Sequence, residues 1–179
     1  MNKTLFLDRD GVINKEKNYL YKIEEFEFIN GVFETCRYFQ KKGYIIIIIT
    51  NQAGIARKKY TEEDYKLLTN WMITKFELEN IKISKVYHCP HHPDFSGECD
   101  CRKPNIGMLL NAQKEFDIDM NNSILIGDKN SDIEAGINAK IGRNYLINTG
   151  HKISQNKFNV KVLNNLRDLL EELKLHNKK

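Results

Sequence analysis

Two acidic residues near the start of the chain have a spacing that suits chemistry. Asp8 and Asp10 directly follow the apolar run from Thr4 to Leu7, which predicts a short buried strand. Side chains two residues apart on extended backbone share one face, so we expect both carboxylates to point into the same crevice. Two carboxylates this close repel each other unless a cation or a shared proton lies between them. The pair therefore predicts a site for metal-assisted covalent chemistry.

A second group of metal-ligating residue types lies in the middle of the chain. It consists of Cys89, Cys99 and Cys101, with His88, His91 and His92. Thiols and an imidazole at this spacing suit a closed tetrahedral Zn²⁺ site, which would order a loop with little aliphatic material. Such a zinc is structural, because protein ligands fill every position. The spacing leaves open which histidine binds, and reduced surface cysteines are the alternative interpretation.

Strand and helix signals alternate along the chain, as is typical of a parallel sheet covered by helices on both faces. Predicted strands cover residues 4–7, 44–49, 85–88, 123–126, 145–147 and 160–162. Predicted helices cover residues 31–42, 61–79, 107–116, 131–139 and 163–175. The second helix is expected to begin at a cap formed by Thr61 and Asp64. We assign its core face to Leu67, Leu68, Trp71, Met72 and Phe76.

The composition limits the class of protein. With 179 residues, 41% hydrophobic and 29% charged, and a net charge of +4, the chain is typical of one globular domain over residues 1–179. The first apolar run is short and is interrupted by Asp8, so we expect no signal peptide, and the run at 45–49 is too short to cross a bilayer. The clustered cysteines favour metal ligation in a reducing compartment. We expect a cytoplasmic monomer with no nucleic-acid or membrane partner.

Four short motifs occur in a fixed order. They are Asp8-Arg9-Asp10-Gly11, Thr50-Asn51-Gln52, Arg102-Lys103-Pro104 and Gly127-Asp128-Lys129 with Asp132. Together they resemble the four motifs of haloacid dehalogenase superfamily phosphatases, and the resemblance spans nearly the whole chain. It implies a three-layer, Rossmann-like α/β fold without a cap domain. The fold would carry the zinc-binding loop at 89–101.

The resemblance implies a role for each motif. Asp8 would attack phosphorus, and Asp10 would act as general acid and then general base. Thr50 would donate a hydrogen bond to the phosphoryl group, and Lys103 would offset its charge. Mg²⁺ would be held by Asp8, the backbone carbonyl of Asp10, and Asp128. For Asp132 two roles stay open, hydrogen bonding to metal-bound water or capping the following helix.

The zinc loop narrows the resemblance to the small phosphatases that remove the 7-phosphate of D-glycero-D-manno-heptose 1,7-bisphosphate. Similar loops occur in histidinol-phosphate phosphatases. The resemblance favours His91 as the fourth zinc ligand beside Cys89, Cys99 and Cys101. Lys58 departs from the pattern, since glycine is usual there, and so does Asn105-Ile106 after the Arg-Lys-Pro motif. The implied substrate contacts are Glu16, Lys17, Asn18, Tyr19, Thr50, Asn51, Gln52, Ala53, Arg102, Lys103 and Lys129.

The sequence allows three interpretations of the function. A sugar bisphosphate needs cations for its second phosphate, and Arg57, Lys58, Lys59, Arg102 and Lys129 form a candidate rim. Histidinol phosphate carries an amine, which would need a carboxylate nearby, and Glu16 is available for that contact. A non-catalytic zinc module that binds nucleic acid would not explain the convergence of Asp8 and Asp10 with the other motifs. We therefore predict a heptose bisphosphate phosphatase, with the anomer of the sugar left open.

Overall fold

Within the described part of the chain, six short apolar runs form the strands of one parallel sheet. The computed structural model describes residues 1–150, 153 and 155–176. The strands are β1 (Thr4–Leu7), β2 (Ile45–Asn51), β3 (Ile83–Cys89), β4 (Ile124–Gly127), β5 (Arg143–Ile147) and β6 (Lys161–Leu163). They lie in the order β3-β2-β1-β4-β5-β6, and all neighbouring pairs are parallel. The predicted parallel α/β sheet is confirmed.

Helices cover both faces of this sheet. They are α1 (Val32–Lys41), α2 (Glu62–Leu78), α3 (Pro93–Ser96), α4 (Gly107–Phe116), α5 (Asn130–Asn138) and α6 (Leu166–His176). Leu5 and Leu7 of β1 pack in one core with α1, α2 and α6, whereas Phe6 packs in a second core with α4 and α5. Because alternate residues of a strand point to opposite faces, each central strand contributes to both cores. The three-layer arrangement agrees with the prediction.

Helix α2 begins where the sequence predicts but has a narrower core face. The Asp64 amide donates to Thr61 Oγ1 over 3.1 Å, and the Thr61 amide donates to Asp64 Oδ2 over 2.8 Å, so the predicted cap is confirmed. The assignment of Leu67 to the core is wrong, because Leu67 is 64% exposed. Adjacent residues lie about 100° apart around a helix, and Leu68 takes the buried position.

Two helical turns were not predicted from the sequence. One is the 3₁₀ turn Ile23–Glu25, and the other is α3 in the cysteine-containing loop at 89–101. Neither is long enough to show a hydrophobic period, which is the signal that identifies longer helices. Among the described residues, no helix has the length and hydropathy required to span a bilayer. The single-domain organisation over residues 1–179 stays a prediction.

The strand order explains where a site can form. β1 lies in the middle of the sheet, with β2 on one side and β4 on the other. Connections that leave a central strand in opposite directions open a crevice at the carboxyl edge of the sheet. Asp8 follows β1, Thr50 is near the end of β2, and Asp128 follows β4. The topology therefore brings the first, second and fourth sequence motifs to one edge.

Candidate active site

A cavity of about 460 Å³ lies at the carboxyl edge of the sheet. Asp8 and Asp10 line it, and so does Lys103, which belongs to the segment that precedes α4. Most of the predicted substrate contacts also line this cavity. These are Glu16, Asn18, Tyr19, Asn51, Gln52, Ala53, Arg102, Lys103 and Lys129. The structure thus brings together residues that are far apart in the sequence.

Lys103 is the central cation of the site and is only 3% exposed. Its Nζ lies 3.0 Å from Asp8 Oδ1 and 2.7 Å from Asp132 Oδ1, and it donates to the carbonyl of Ile49 over 2.8 Å. These three contacts use the three N–H bonds of an ammonium group. Burial lowers the pKa of Lys103, but the charges of Asp132 and Asp8 outweigh burial and raise it overall. Lys103 is therefore a fixed positive charge beside Asp8.

Asp132 combines a capping role with an electrostatic one. Its Oδ2 accepts a hydrogen bond from the Lys129 amide over 3.0 Å, at the start of α5. Its Oδ1 forms the ion pair with Lys103. The predicted capping interaction is thus present, and the same carboxylate also anchors Lys103. A β-carbon at Gly127 would lie 2.2 Å from Asp132 Cβ, so glycine is required for this close approach.

Asp8, Asp128 and Asp132 form a buried acidic cluster. One carboxylate oxygen from each residue lies within 4.8 Å of the others. Burial raises the pKa of Asp8 to about 8, since Lys103 offsets only part of the burial and of the repulsion from Asp132 and Asp128. An all-oxygen set of buried carboxylates with this excess of negative charge fits Mg²⁺. The cluster includes two of the predicted magnesium ligands, Asp8 and Asp128.

Asp10 has a different environment from Asp8. Its Oδ1 accepts hydrogen bonds from Arg9 Nη2 over 2.9 Å and from Asn14 Nδ2 over 3.0 Å, and its Oδ2 accepts from Gln52 Nε2 over 2.9 Å. Burial raises the pKa of Asp10, but the Arg9 charge and these hydrogen bonds lower it overall. Asp10 is therefore held as a carboxylate, and its two oxygens have fixed orientations.

The side chains of the second motif form hydrogen bonds with neighbouring residues of the site. Asn51 Nδ2 donates to the carbonyl of Lys103 over 3.1 Å, and the Lys103 amide donates to Asn51 Oδ1 over 3.0 Å. Gln52 Nε2 donates to Thr50 Oγ1 over 2.8 Å as well as to Asp10. Thr50 is buried and accepts this bond, so its own O–H can donate elsewhere. Asn51 and Gln52 thus orient Lys103 and Asp10.

The predicted cationic rim is only partly present. Arg57, Arg102 and Lys129 line the cavity, whereas Lys58 and Lys59 are exposed outside it. Lys58 has a left-handed backbone with φ of 56°, which agrees with the expectation that glycine is usual there. Two predicted substrate contacts do not line the cavity: Thr50 is buried, and Lys17 pairs with Glu27 over 2.5 Å.

Arg57 is fixed by contacts with the loop at 89–101. Its Nη2 lies 2.9 Å from His92 Nε2, and its guanidinium lies 4.7 Å from the centre of the Phe95 ring. Arg102 Nη1 donates to the carbonyl of His91 over 3.2 Å. Both guanidinium groups are therefore held at the cavity wall by the segment between β3 and α4.

Three of the four predicted zinc ligands cluster. Cys99 Sγ lies 3.6 Å from Cys89 Sγ and 3.5 Å from Cys101 Sγ, and all are free thiols. A tetrahedral zinc with Zn–S bonds of ~2.3 Å separates its sulfurs by ~3.8 Å, so these distances fit a shared ion. His91 is not among the ligand atoms within 4.8 Å of one another, although its amide hydrogen-bonds to Cys89. Its role as the fourth ligand stays a prediction.

Comparisons with known proteins agree with this geometry. The family model for polynucleotide kinase 3 phosphatase matches residues 1–162. The D-glycero-alpha-D-manno-heptose-1,7-bisphosphate 7-phosphatase of Campylobacter jejuni is 56% identical over 150 residues, which cover 84% of this chain and 85% of that protein. The chain belongs to this haloacid dehalogenase-like phosphatase family.

Two further relatives support the family assignment. The D-glycero-beta-D-manno-heptose-1,7-bisphosphate 7-phosphatase of Escherichia coli K12 is 42% identical, with 97% of this chain and 95% of that protein covered. The crystal structure of D,D-heptose 1,7-bisphosphate phosphatase from B. bronchiseptica, complexed with magnesium and phosphate, has a TM-score of 0.87 at 25% identity. That match covers 97% of this chain and 99% of the other. The predicted fold and phosphatase class are confirmed, and the histidinol-phosphate and non-catalytic alternatives are not supported.

Sequence reasoning missed two buried residues of this phosphatase. The first motif does not reveal that Arg9 is 1% exposed and pairs with Asp10. Tyr60 belongs to none of the motifs, yet it lines the cavity and its hydroxyl donates to Gln52 Oε1. Its position directly before the Thr61 cap, eight residues after Gln52, is the available signal. That signal is weak, because an aromatic residue before a helix is more often part of the core.

Proposed function

We propose that this protein is a Mg²⁺-dependent phosphatase that releases the 7-phosphate of D-glycero-D-manno-heptose 1,7-bisphosphate. One observation carries the proposal: Lys103 pairs with Asp8 and Asp132 at a cavity that Asp10 also lines, in a chain 56% identical to a phosphatase of that name. We propose the α-anomer, because the 56% relative is named for it, whereas the 42% relative is named for the β-anomer. The family context favours action in the cytoplasm.

The first step transfers the phosphoryl group to the protein. Asp8 attacks phosphorus, so that a bond forms between the carboxylate and phosphorus as the bond to the sugar oxygen breaks. Asp10 gives its proton to the departing sugar oxygen. The negative charge of a bound phosphate favours protonation of Asp10 by like-charge repulsion, which supports this acid role. Thr50 O–H and Lys103 would stabilise charge on the phosphoryl oxygens.

The second step returns Asp8 to its starting form. Water attacks the phosphorus of the aspartyl-phosphate, and Asp10 accepts the proton that water loses. The hydrogen bonds that hold Asp10 as a carboxylate support this base role. Mg²⁺, held by Asp8, Asp128 and the carbonyl of Asp10, would supply charge neutralisation at the phosphoryl group. Arg57 and Arg102 are the groups we propose for the second phosphate.

We also propose a structural zinc ion in the loop at 89–101. Cys89, Cys99 and Cys101 would bind it together with His91, which must turn its ring toward the three sulfurs. The sulfur separations support this assignment. Such an ion would take no part in the chemistry, since its ligands would all come from protein. It would instead fix the segment that carries Arg102 and Lys103.

Phosphate release from defined substrates tests the function. The wild-type protein should release phosphate from the α-anomer in the presence of Mg²⁺, more slowly from the β-anomer, and at background rates with a chelator. Asp8→Asn should lower kcat by at least about a thousandfold, because the nucleophile is removed. Asp117→Asn, at an exposed position outside the cavity, is the control and should retain full activity. A tenfold preference for histidinol phosphate, or an active Asp8→Asn variant, would refute the proposal.

A further inference from the structure

Tyr60 is a buried polar residue without a role in the chemistry described above. It lies between β2 and α2, and it is 6% exposed. Its hydroxyl donates a hydrogen bond to Gln52 Oε1. A tyrosine hydroxyl buried at this depth needs a partner, and here the partner is a side chain that reaches the catalytic carboxylate. The contact therefore connects Tyr60 to Asp10 through one amide.

The amide of Gln52 can satisfy its neighbours in only one orientation. Gln52 is 2% exposed, and its Nε2 donates both to Asp10 Oδ2 and to Thr50 Oγ1. If the amide were reversed, Oε1 would face the Asp10 carboxylate, and two acceptors would be in contact without a proton between them. The hydroxyl of Tyr60 donates to Oε1 and thereby favours the observed orientation. The orientation of the amide then fixes Asp10 Oδ2.

The ring of Tyr60 is held in place from two sides. It stacks on Tyr21 with ring centres 5.6 Å apart and an angle of 19° between the planes. It also packs against the backbone of Gly54, where a β-carbon would lie 2.1 Å from Tyr60 Cε1. The hydroxyl therefore has a fixed position relative to the loop that follows β2. We infer that Tyr60, acting through Gln52, is a positioning residue that aims Asp10 Oδ2 at the leaving oxygen.

The competing explanation is that Tyr60 only fills space in the core. The two explanations differ in what they predict for the leaving group, and the inference rests on the proposed function of Asp10 as a general acid. A sugar alkoxide is a strong base and needs a proton as it departs, whereas p-nitrophenolate is a far weaker base and does not. Misplacing the acid should therefore slow cleavage of alkyl phosphates more than cleavage of p-nitrophenyl phosphate.

The test compares two substrates in the Tyr60→Phe variant, which keeps the ring and removes the hydroxyl. For the α-anomer of the heptose bisphosphate, we expect kcat/KM to fall about tenfold with KM changed less than about twofold. For p-nitrophenyl phosphate, we expect kcat/KM to fall less than about twofold. A fall confined to the alkyl ester would not follow from loosened packing, because a general distortion of the site lowers both rates.

Tyr65→Phe is the matched control, since Tyr65 is a second buried tyrosine whose ring stacks on His88. Its rates on both substrates should stay within about twofold of wild type. Equal losses on both substrates in Tyr60→Phe, or no loss on either, would overturn the inference. The β-anomer and fructose 1,6-bisphosphate serve as further alkyl esters. A wild-type protein inactive on all three esters would instead overturn the proposed function.

Discussion

Two carboxylates separated by a single residue have opposite properties in this site. Burial raises the pKa of Asp8 to about 8, whereas Arg9 and hydrogen bonds lower the pKa of Asp10 in spite of burial. The difference arises from their partners. Asp8 shares one cation, Lys103, with Asp132, whereas Asp10 pairs with the guanidinium of Arg9. Environments that separate two such groups are typical of sites in which they perform different tasks.

The shift at Asp8 predicts that the catalytic carboxylate destabilises the metal-free protein. A carboxyl group whose pKa is higher in the folded state lowers the free energy of unfolding as pH rises between the unfolded and folded values, here from 3.8 to about 8. Asp8→Asn removes this cost and leaves Lys103 paired with Asp132. In chelator at pH 8, we expect the variant to be more stable than wild type by roughly 1–3 kcal/mol, measured by urea unfolding.

The pH dependence provides the check on this prediction. The advantage of Asp8→Asn should shrink at pH 5, where Asp8 of the wild-type protein is already neutral. It should also shrink when Mg²⁺ is added, because the cation stabilises only the wild-type carboxylate. The exposed control Asp117→Asn should change the free energy of unfolding by less than about 0.5 kcal/mol at either pH. A less stable Asp8→Asn variant at pH 8 in chelator would contradict the prediction.

At the scale of residues, the sequence predicts the charged residues of the site better than the residues that orient them. Asp8 and Asp128 could be predicted because each follows an apolar strand, and parallel strands end at one edge. Lys103 could be placed by its motif, although its three contacts come from Asp8 after β1, from Ile49 of β2 and from Asp132 of α5. Tyr60 could not be predicted, because its partner Gln52 is defined only by how the loop after β2 folds back.

At the scale of elements, the start of α2 fixes the end of that loop. Thr61 and Asp64 form the capping box immediately after Tyr60. Thr61→Ala removes the acceptor for the Asp64 amide, and we expect the free energy of unfolding to fall by about 1 kcal/mol in chemical unfolding experiments. Thr61→Ser keeps the hydroxyl and should retain nearly all of the stability. A Thr61→Ala variant as stable as wild type would show that other contacts hold the start of the helix.

The elements also show where hydrophobic patterning is ambiguous. Leu67 and Leu68 are adjacent and equally apolar, so the sequence cannot determine which of them is buried. The structure buries Leu68 together with Tyr65, Met72 and Phe76, at helical spacings of three and four residues. Leu67 lies outside this buried face of α2. Because α3 is a single turn, it has no period that the sequence could reveal.

At the scale of the whole molecule, two parts of the fold position the residues of the active site. The sheet positions Asp8, Thr50 and Asp128 through strand register, which buried apolar residues on both faces specify strongly. Lys103 instead comes from a long connection between β3 and α4, outside the sheet. A loop of this kind with few apolar residues cannot specify its own shape by burial. Other contacts must therefore hold this loop in one conformation. The cluster of Cys89, Cys99 and Cys101 is the candidate for those contacts.

Loss of the proposed zinc ion should therefore impair catalysis from outside the cavity. Cys99→Ser removes the thiol at the centre of the cluster, and we expect bound zinc, measured by metal analysis, to fall from about one ion per chain to a small fraction. A displacement of Lys103 by about 1 Å would lower kcat/KM by roughly a hundredfold, so we expect a loss of at least tenfold. Cys36→Ala is the control, because Cys36 is a free thiol of α1 and should leave zinc content and kcat/KM unchanged. Full activity in a Cys99→Ser protein that lacks zinc would mean that the contacts with Asp8, Ile49 and Asp132 alone position Lys103.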